Sequence, residues 1–213
     1  MTPNATKNMW RAQMLETRSQ IGPEKISQFN RDLNKNLSFV WVEAQKLVED
    51  VKPLWAGYKS FNWEADPQQA ILEASPFLRW VFPKISTFEM DFYEPKASTS
   101  VGLSQGGTRW LKNSWGIWEP DPETAEKIDL NLCVGVLVPG LAFDRLGHRL
   151  GHGKGFYDRA LAKFQGLKVG VGFSMQITSE VLPIDPTDIG MDLVVTDREI
   201  IRMSNVLTND KGA

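Results

Sequence analysis

The chain has 213 residues, 42% of them hydrophobic, so it can bury about 70% of its unfolded surface without a disulfide or metal staple. Twenty-four basic residues against 26 acidic ones leave a net charge of -2, which speaks against a nucleic-acid binder driven by bulk charge. The lone cysteine, Cys133, excludes an internal disulfide framework and fits a reducing compartment.

The most apolar stretch, residues 132–143, contains Pro139 and Gly140 and is far shorter than the roughly 20 residues of a membrane helix. The first residues lack the apolar core of a secretory signal, and Glu16 breaks the acid-poor pattern of a transit peptide. A soluble, cytoplasmic protein is expected, with neither membrane nor nucleic acid as partner. It is expected as a single domain over residues 1–213, with flexible tails at 1–6 and 205–213.

In chain order, residues 8–20 form a short helix that carries Lys7, Arg11 and Arg18 along one side. Three- and four-residue steps of apolar side chains predict an amphipathic helix over 27–51, closed by Pro53. A strand is expected at 54–58. Asp66 and Pro67 look like a cap and first turn for a helix through Ala74. Strands follow at 78–82, stopped by Pro83, and at 88–93; residues 94–128 read as loops with short elements. The apolar run 130–138 suits a strand buried on both faces. After a Gly-rich stretch come a helix at 156–164 and strands at 167–173 and 192–196. The alternation predicts an α/β fold with a mostly parallel sheet flanked by helices, a Rossmann-like three-layer architecture. Ligands in such sheets bind beyond the carboxyl ends of the strands, where the Gly-rich loop lies.

The chemistry concentrates in residues 138–161, where Gly147, Gly151, Gly153 and Gly155 alternate with Arg145, His148, Arg149, His152, Lys154 and Arg159. Backbone N–H groups of a Gly-rich turn can converge on an anion, and Arg and Lys supply its counter-charge. Neither the Walker A nor the dinucleotide glycine pattern fits, so the spacing points to an anion loop of another kind; a plain solvated turn has the same composition. His148 and His152 have a metal-site spacing, but their cationic surroundings disfavour zinc. Asp144, Asp158, Asp188 and Asp192 are hard oxygen donors of the kind Mg²⁺ takes beside phosphate, or ordinary turn and surface residues. Cys133 reads as a small buried hydrophobe. Trp63, Trp115 and Trp118 stand beside loop signals and can stack on a flat ring.

The run from Pro139 to Asp158 resembles the signature of the 5-formyltetrahydrofolate cyclo-ligase family: Pro-Gly-x-Ala-Phe-Asp, then Gly-x-Arg-Leu-Gly-x-Gly-x-Gly-Tyr-Tyr-Asp, with Phe156 replacing the first tyrosine. Lys7 to Arg11, Trp63 to Asp66, Val81 to Pro83, Gly116 to Pro120 and Gly170 to Thr196 resemble other family segments in the same order. Thr187 stands where the family often has His. The resemblance spans residues 7–200 and implies ATP-dependent closure of 5-formyltetrahydrofolate to 5,10-methenyltetrahydrofolate, the formyl oxygen being phosphorylated and N10 then attacking.

By resemblance, Lys7, Arg11, Arg149, Leu150, Gly151, His152, Gly153, Lys154, Gly155, Phe156 and Tyr157 contact ATP. Arg149, Lys154 and Tyr157 are the catalytic candidates. Lys59, Glu64 and Trp118 join His152, Gly153, Phe156 and Tyr157 around the folate, and Asp158 and Asp188 hold Mg²⁺. A monomer is expected. Two other readings stay open: a related ATP-dependent enzyme with another small anionic substrate, and a non-catalytic reduced-folate-binding regulator.

Overall fold

The computed structural model describes residues 3–45, 52–62, 64–96 and 107–203. Helices α1 (Pro3–Ser19) and α2 (Pro23–Gln45) both begin on proline, whose fixed φ and missing N–H suit a first turn. Residues 3–6, expected in a tail, are therefore helical, and α2 starts before the expected residue 27. Residues 46–51 at the far end expected for α2, the C-terminal tail expected at 205–213, and Trp63 lie outside the described residues.

The remaining elements are β1 (Leu54–Ala56), α3 (Gln68–Ala74), β2 (Arg79–Ile85), β3 (Met90–Pro95), β4 (Trp110–Lys112), β5 (Trp118–Pro120), β6 (Ala125–Ile128), β7 (Gly135–Pro139), β8 (Ala142–Asp144), β9 (Arg149–Leu150), α4 (Phe156–Leu161), β10 (Leu167–Val171), β11 (Ile177–Thr178), β12 (Leu193–Val195) and β13 (Ile200–Arg202). Eight strands make one sheet in the order β13-β12-β10-β7-β1-β2-β3-β6. Its centre, β12 to β2, is parallel, and β13, β3 and β6 are antiparallel additions. A small sheet, β11-β8-β9, and the β4-β5 hairpin stand beside it.

Alternating residues of the central strands feed two separate cores. Trp55, Leu137, Val169 and Leu193 face Leu33, Leu37 and Trp41 of α2 and Ile71 of α3. Leu54, Ala56, Val136, Val138 and Val194 face Leu161 of α4, Phe143 and Phe164. Helices thus cover both faces, the three layers expected. Met14 of α1 packs apart from both cores, with Leu141, Ala142, Leu150 and Leu182. Trp41 meets Trp55 and Trp80 edge-on, with centroids 4.9 and 5.3 Å apart, pinning α2 to β1 and β2. Each such pair adds about 0.5–1.5 kcal/mol beyond its buried area.

Three local expectations are corrected. Strand β2 runs through Pro83, which pairs with Phe92. Arg79 N–H bonds Pro53 C=O and Val81 C=O accepts from Gly57, so by the two-residue period the nitrogen of Pro83 faces the same side, past where β1 ends. The run 130–138 is not one strand: Leu130–Leu132 form a 3-10 turn, capped where Asp129 Oδ1 accepts from Asn131 N–H at 2.9 Å. Helix α4 stops at Leu161 rather than 164. Among the described residues no helix is long and apolar enough to cross a membrane.

A Cβ on Gly135 would sit 2.4 Å from the buried Trp55 ring. Gly135→Ala is expected to cost about 1–3 kcal/mol, read as a lower urea midpoint. Burial, with Asp129 and Glu94, pushes the Cys133 thiol up to about 12 from 9.0, against a downward pull from Arg79. Between those values the unfolded chain releases a proton that the folded chain keeps, so stability is full below pH 9 and is lost as pH rises. Cys133→Ala is expected to flatten that loss in urea titrations at stepped pH.

Candidate active site

Strand order reverses between β1 and β7: β1 continues through α3 to β2 on one side, and β7 through α4 to β10 on the other. Crevices form outside the carboxyl ends of strands at such a reversal. Here Tyr58 and Lys59 beyond β1, and Pro139 at the end of β7, line a cavity of about 1270 Å³. That exceeds the usual 300–1,000 Å³ of a single small-molecule site and leaves room for more than one ligand. Every residue that the family resemblance assigned to a ligand or metal lines it: Lys7 and Arg11 from α1, Lys59 and Glu64 after β1, Trp118 from β5, the run 149–158, and Asp188; Asp144, His148 and Asp192, also weighed as metal ligands, do not.

One end is ionic. Arg149, on β9, donates from Nη2 to both oxygens of Asp158 at 3.0 and 3.1 Å and from Nη1 to Pro139 C=O at 3.2 Å. Its Nε is buried without a partner among the described residues, and its guanidinium lies 5.5 Å from the Tyr157 ring centroid. Ile189 N–H donates to Asp158 Oδ1 at 3.3 Å, which brings the 185–189 turn beside that carboxylate. Lys7 Nζ, from the buried face of α1, sits 2.6 Å from Asp185 Oδ2 and 2.5 Å from Asp188 Oδ2. Burial works against the Lys7 charge, but the bonds and charges of the two carboxylates outweigh it and raise its pKa. Arg11 Nε donates to Gly151 C=O at 3.0 Å, and Gly153, at φ 90°, leaves room for the Arg11 guanidinium. Helix α4 is a single short element, so the anion-binding power of this end rests on these cations more than on a helix terminus. Lys154 is exposed at the rim.

The other end is aromatic. Trp115 lies edge-on to Phe156 at 6.3 Å, and Phe61, Ile117 and Trp118 continue the wall. Glu64 Oε2 accepts from Phe61 N–H at 3.0 Å, and Oε1 lies 3.6 Å from His152 Nε2, beyond hydrogen-bond reach. Tyr58 donates from its hydroxyl to Ala65 C=O at 2.6 Å and so shapes the Glu64 loop. Burial, then the Glu64 charge, raises the pKa of both Tyr58 and Tyr157, against Arg18 and Arg149 respectively. Both phenols stay neutral and so keep a proton to donate. Burial lowers the pKa of Lys59 against Asp66; its ammonium lies 4.8 Å from the Trp110 centroid and bonds Gln68 Oε1.

The model of the 5-formyltetrahydrofolate cyclo-ligase family matches residues 3–197. The chain belongs to that family. The probable 5-formyltetrahydrofolate cyclo-ligase of Schizosaccharomyces pombe is 38% identical over 103 residues, 42% of this chain and 50% of the relative. The Escherichia coli 5-formyltetrahydrofolate cyclo-ligase is 36% identical over 93 residues, with 42% and 50% covered. The matches span about half the length of these curated relatives. The structure of Aquifex aeolicus 5,10-methenyltetrahydrofolate synthetase superposes with a TM-score of 0.74 at 29% identity, covering 93% of each chain.

Sequence reasoning missed Asp185 and Tyr58 as members of the site, and named Trp115 only as a ring able to stack. The 185–188 turn and the loop position of Trp115 were visible signals, but their facing partners are distant in sequence. Arg18, on the same side of α1, does not line the cavity; it is buried, with Nε and Nη1 lacking a partner among the described residues. His148 is turned away, with Nδ1 2.8 Å from Asp144 Oδ2, and Asp144 also accepts from Leu146, His148 and Leu182 N–H.

Among the described residues no group of three or more His, Cys, Asp or Glu is arranged to hold a metal by itself. Asp158 and Asp188, joined through the 185–189 turn, are two hard oxygen donors on the cavity wall. That donor set fits Mg²⁺, which completes its shell with phosphate and water, and not a structural zinc. Arg149→Met leaves the Asp158 carboxylate without its main partner; a stability loss of about 1–3 kcal/mol is expected, measured by urea unfolding.

Proposed function

We propose that the chain is an ATP-dependent 5-formyltetrahydrofolate cyclo-ligase, forming 5,10-methenyltetrahydrofolate, ADP and phosphate. The observation that carries this reading is the single cavity with a cationic end and an aromatic end that meet at His152 and Tyr157. Family membership supports it, as does a volume that takes a nucleotide beside a reduced folate.

The chemistry asks for positioning and charge stabilisation. The formyl oxygen bonds the γ-phosphorus as the bond to ADP breaks. N10 then bonds the formyl carbon, gives up its proton, and the carbon–oxygen bond breaks to release phosphate carrying the former formyl oxygen. A poor leaving group is thereby made a good one.

In this reading Lys7 and Arg11 hold the nucleotide phosphates, and Arg149 and Lys154 offset charge on the transferring group. The backbone from Leu150 to Gly155 gives close approach, because Gly151, Gly153 and Gly155 carry no side chain. Neutral Tyr157 donates a hydrogen bond at the junction of the two ligands. Glu64 accepts from the pterin-like ring; Trp118, Phe156 and Trp115 stack or border it, with His152 between, and Lys59 supports the wall through Trp110. Asp158 and Asp188 would hold Mg²⁺, which supplies neutralising charge to the phosphates when bound. The enzyme is proposed to work as a monomer in the cytoplasm.

Purified protein mixed with 5-formyltetrahydrofolate and Mg-ATP should raise the near-ultraviolet absorbance of the methenyl product, and only with both ATP and Mg²⁺ present. No rise while folate still binds would favour a regulator; no rise and no folate binding would favour a relative with another substrate. Asp158→Asn is expected to abolish turnover and leave folate binding measurable by fluorescence titration. Full activity in that variant would remove the metal assignment.

A further inference from the structure

At the ionic end two of the cations assigned to phosphate are each already held by a carboxylate assigned to the metal. Arg149 is paired with Asp158, and Lys7 with Asp188. Lys7 differs in having a second carboxylate, Asp185, on the same ammonium. Asp185 also donates its backbone N–H to Asp188 Oδ2 at 2.7 Å, and its C=O accepts from Asp188 N–H at 3.0 Å, so the turn holds both side chains toward one point. The Lys7 side chain is only 6% exposed, so no water shell competes with these bonds.

We propose that Asp185 is a positioning residue for Lys7, and that it makes nucleotide binding depend on the metal. This rests on the cyclo-ligase reading of the same cavity. Lys7 with two carboxylates is a unit of net negative charge. Metal-free ATP must pull the ammonium away from both and then lie against two bare carboxylates. When a divalent cation arrives with the nucleotide, the carboxylates exchange the ammonium for the metal and Lys7 is released to the phosphates. The ion pairs are traded and none is left open, which matters because an unpaired charge in a buried site is strongly unfavourable. Without Asp185, Lys7 would face a single carboxylate, the unit would be neutral, and metal-free nucleotide would meet less repulsion.

The Asp185 side chain is 45% exposed, so Asp185→Asn should fold. The test is calorimetric titration of ATP, once with excess EDTA and once with Mg²⁺, into the unsubstituted protein, Asp185→Asn and Asp185→Glu. The ratio of the two dissociation constants is the metal dependence. It is expected to fall at least about fivefold in Asp185→Asn, the lower edge of typical coupling between sites, chiefly through tighter metal-free binding. It should return toward the original ratio in Asp185→Glu, which restores the charge. An unchanged ratio in Asp185→Asn overturns the role of Asp185 and leaves the nucleotide site standing. Absence of ATP binding to the unsubstituted protein in Mg²⁺ overturns both.

Discussion

The adjacency of β1 and β7 organises this molecule. The two strands run parallel and side by side, yet the chain leaves β1 toward α3 on one face and β7 toward α4 on the other. Their following segments diverge, and the crevice between them cannot be filled by either helix. What hangs from each strand end then divides the labour. The segment after β1 brings Tyr58, Lys59 and Glu64; the segment after β7 brings the β8-β9 hairpin with Arg149 and the glycine run. Helix α1 closes the ionic side through Lys7 and Arg11, using a small apolar contact of its own at Met14.

Charge in the cavity is balanced locally. A chain of net charge -2 has no general cationic field with which to attract a nucleotide. It keeps instead a few cations that are desolvated, oriented and already paired. Such groups are in place before ligand arrives, and in the proposed reaction they exchange partners without a site having to be built. The aromatic end complements this with flat, rigid surfaces and two phenols that burial holds neutral.

Much of this was legible in the sequence because its signals were local. The glycine run with Arg149 and Asp158 falls within one short segment, and the valine-rich strands announced a buried parallel sheet. The Lys7–Arg11–Arg18 face of α1 followed from helical spacing. What was not legible depended on distant partners. Pro83 sits inside a strand only because β1 is too short to need its missing N–H. Leu130 to Leu132 turn away from the sheet because Asp129 caps them, although their apolar character suits a strand. Asp185 and Lys7 stand 178 positions apart, and no periodicity links them. Trp115 joins the cavity wall through Phe156, a contact made by tertiary folding alone.

Oxygen tracing tests most directly whether a phosphate and a formyl group react with each other in this shared cavity. With 5-formyltetrahydrofolate carrying ¹⁸O in the formyl group, the protein and Mg-ATP should yield methenyl product together with inorganic phosphate that contains one ¹⁸O, read by mass spectrometry. Product formed with unlabelled phosphate would mean that the formyl oxygen leaves by another route and would contradict the assignment of the two ends of the cavity to one reaction.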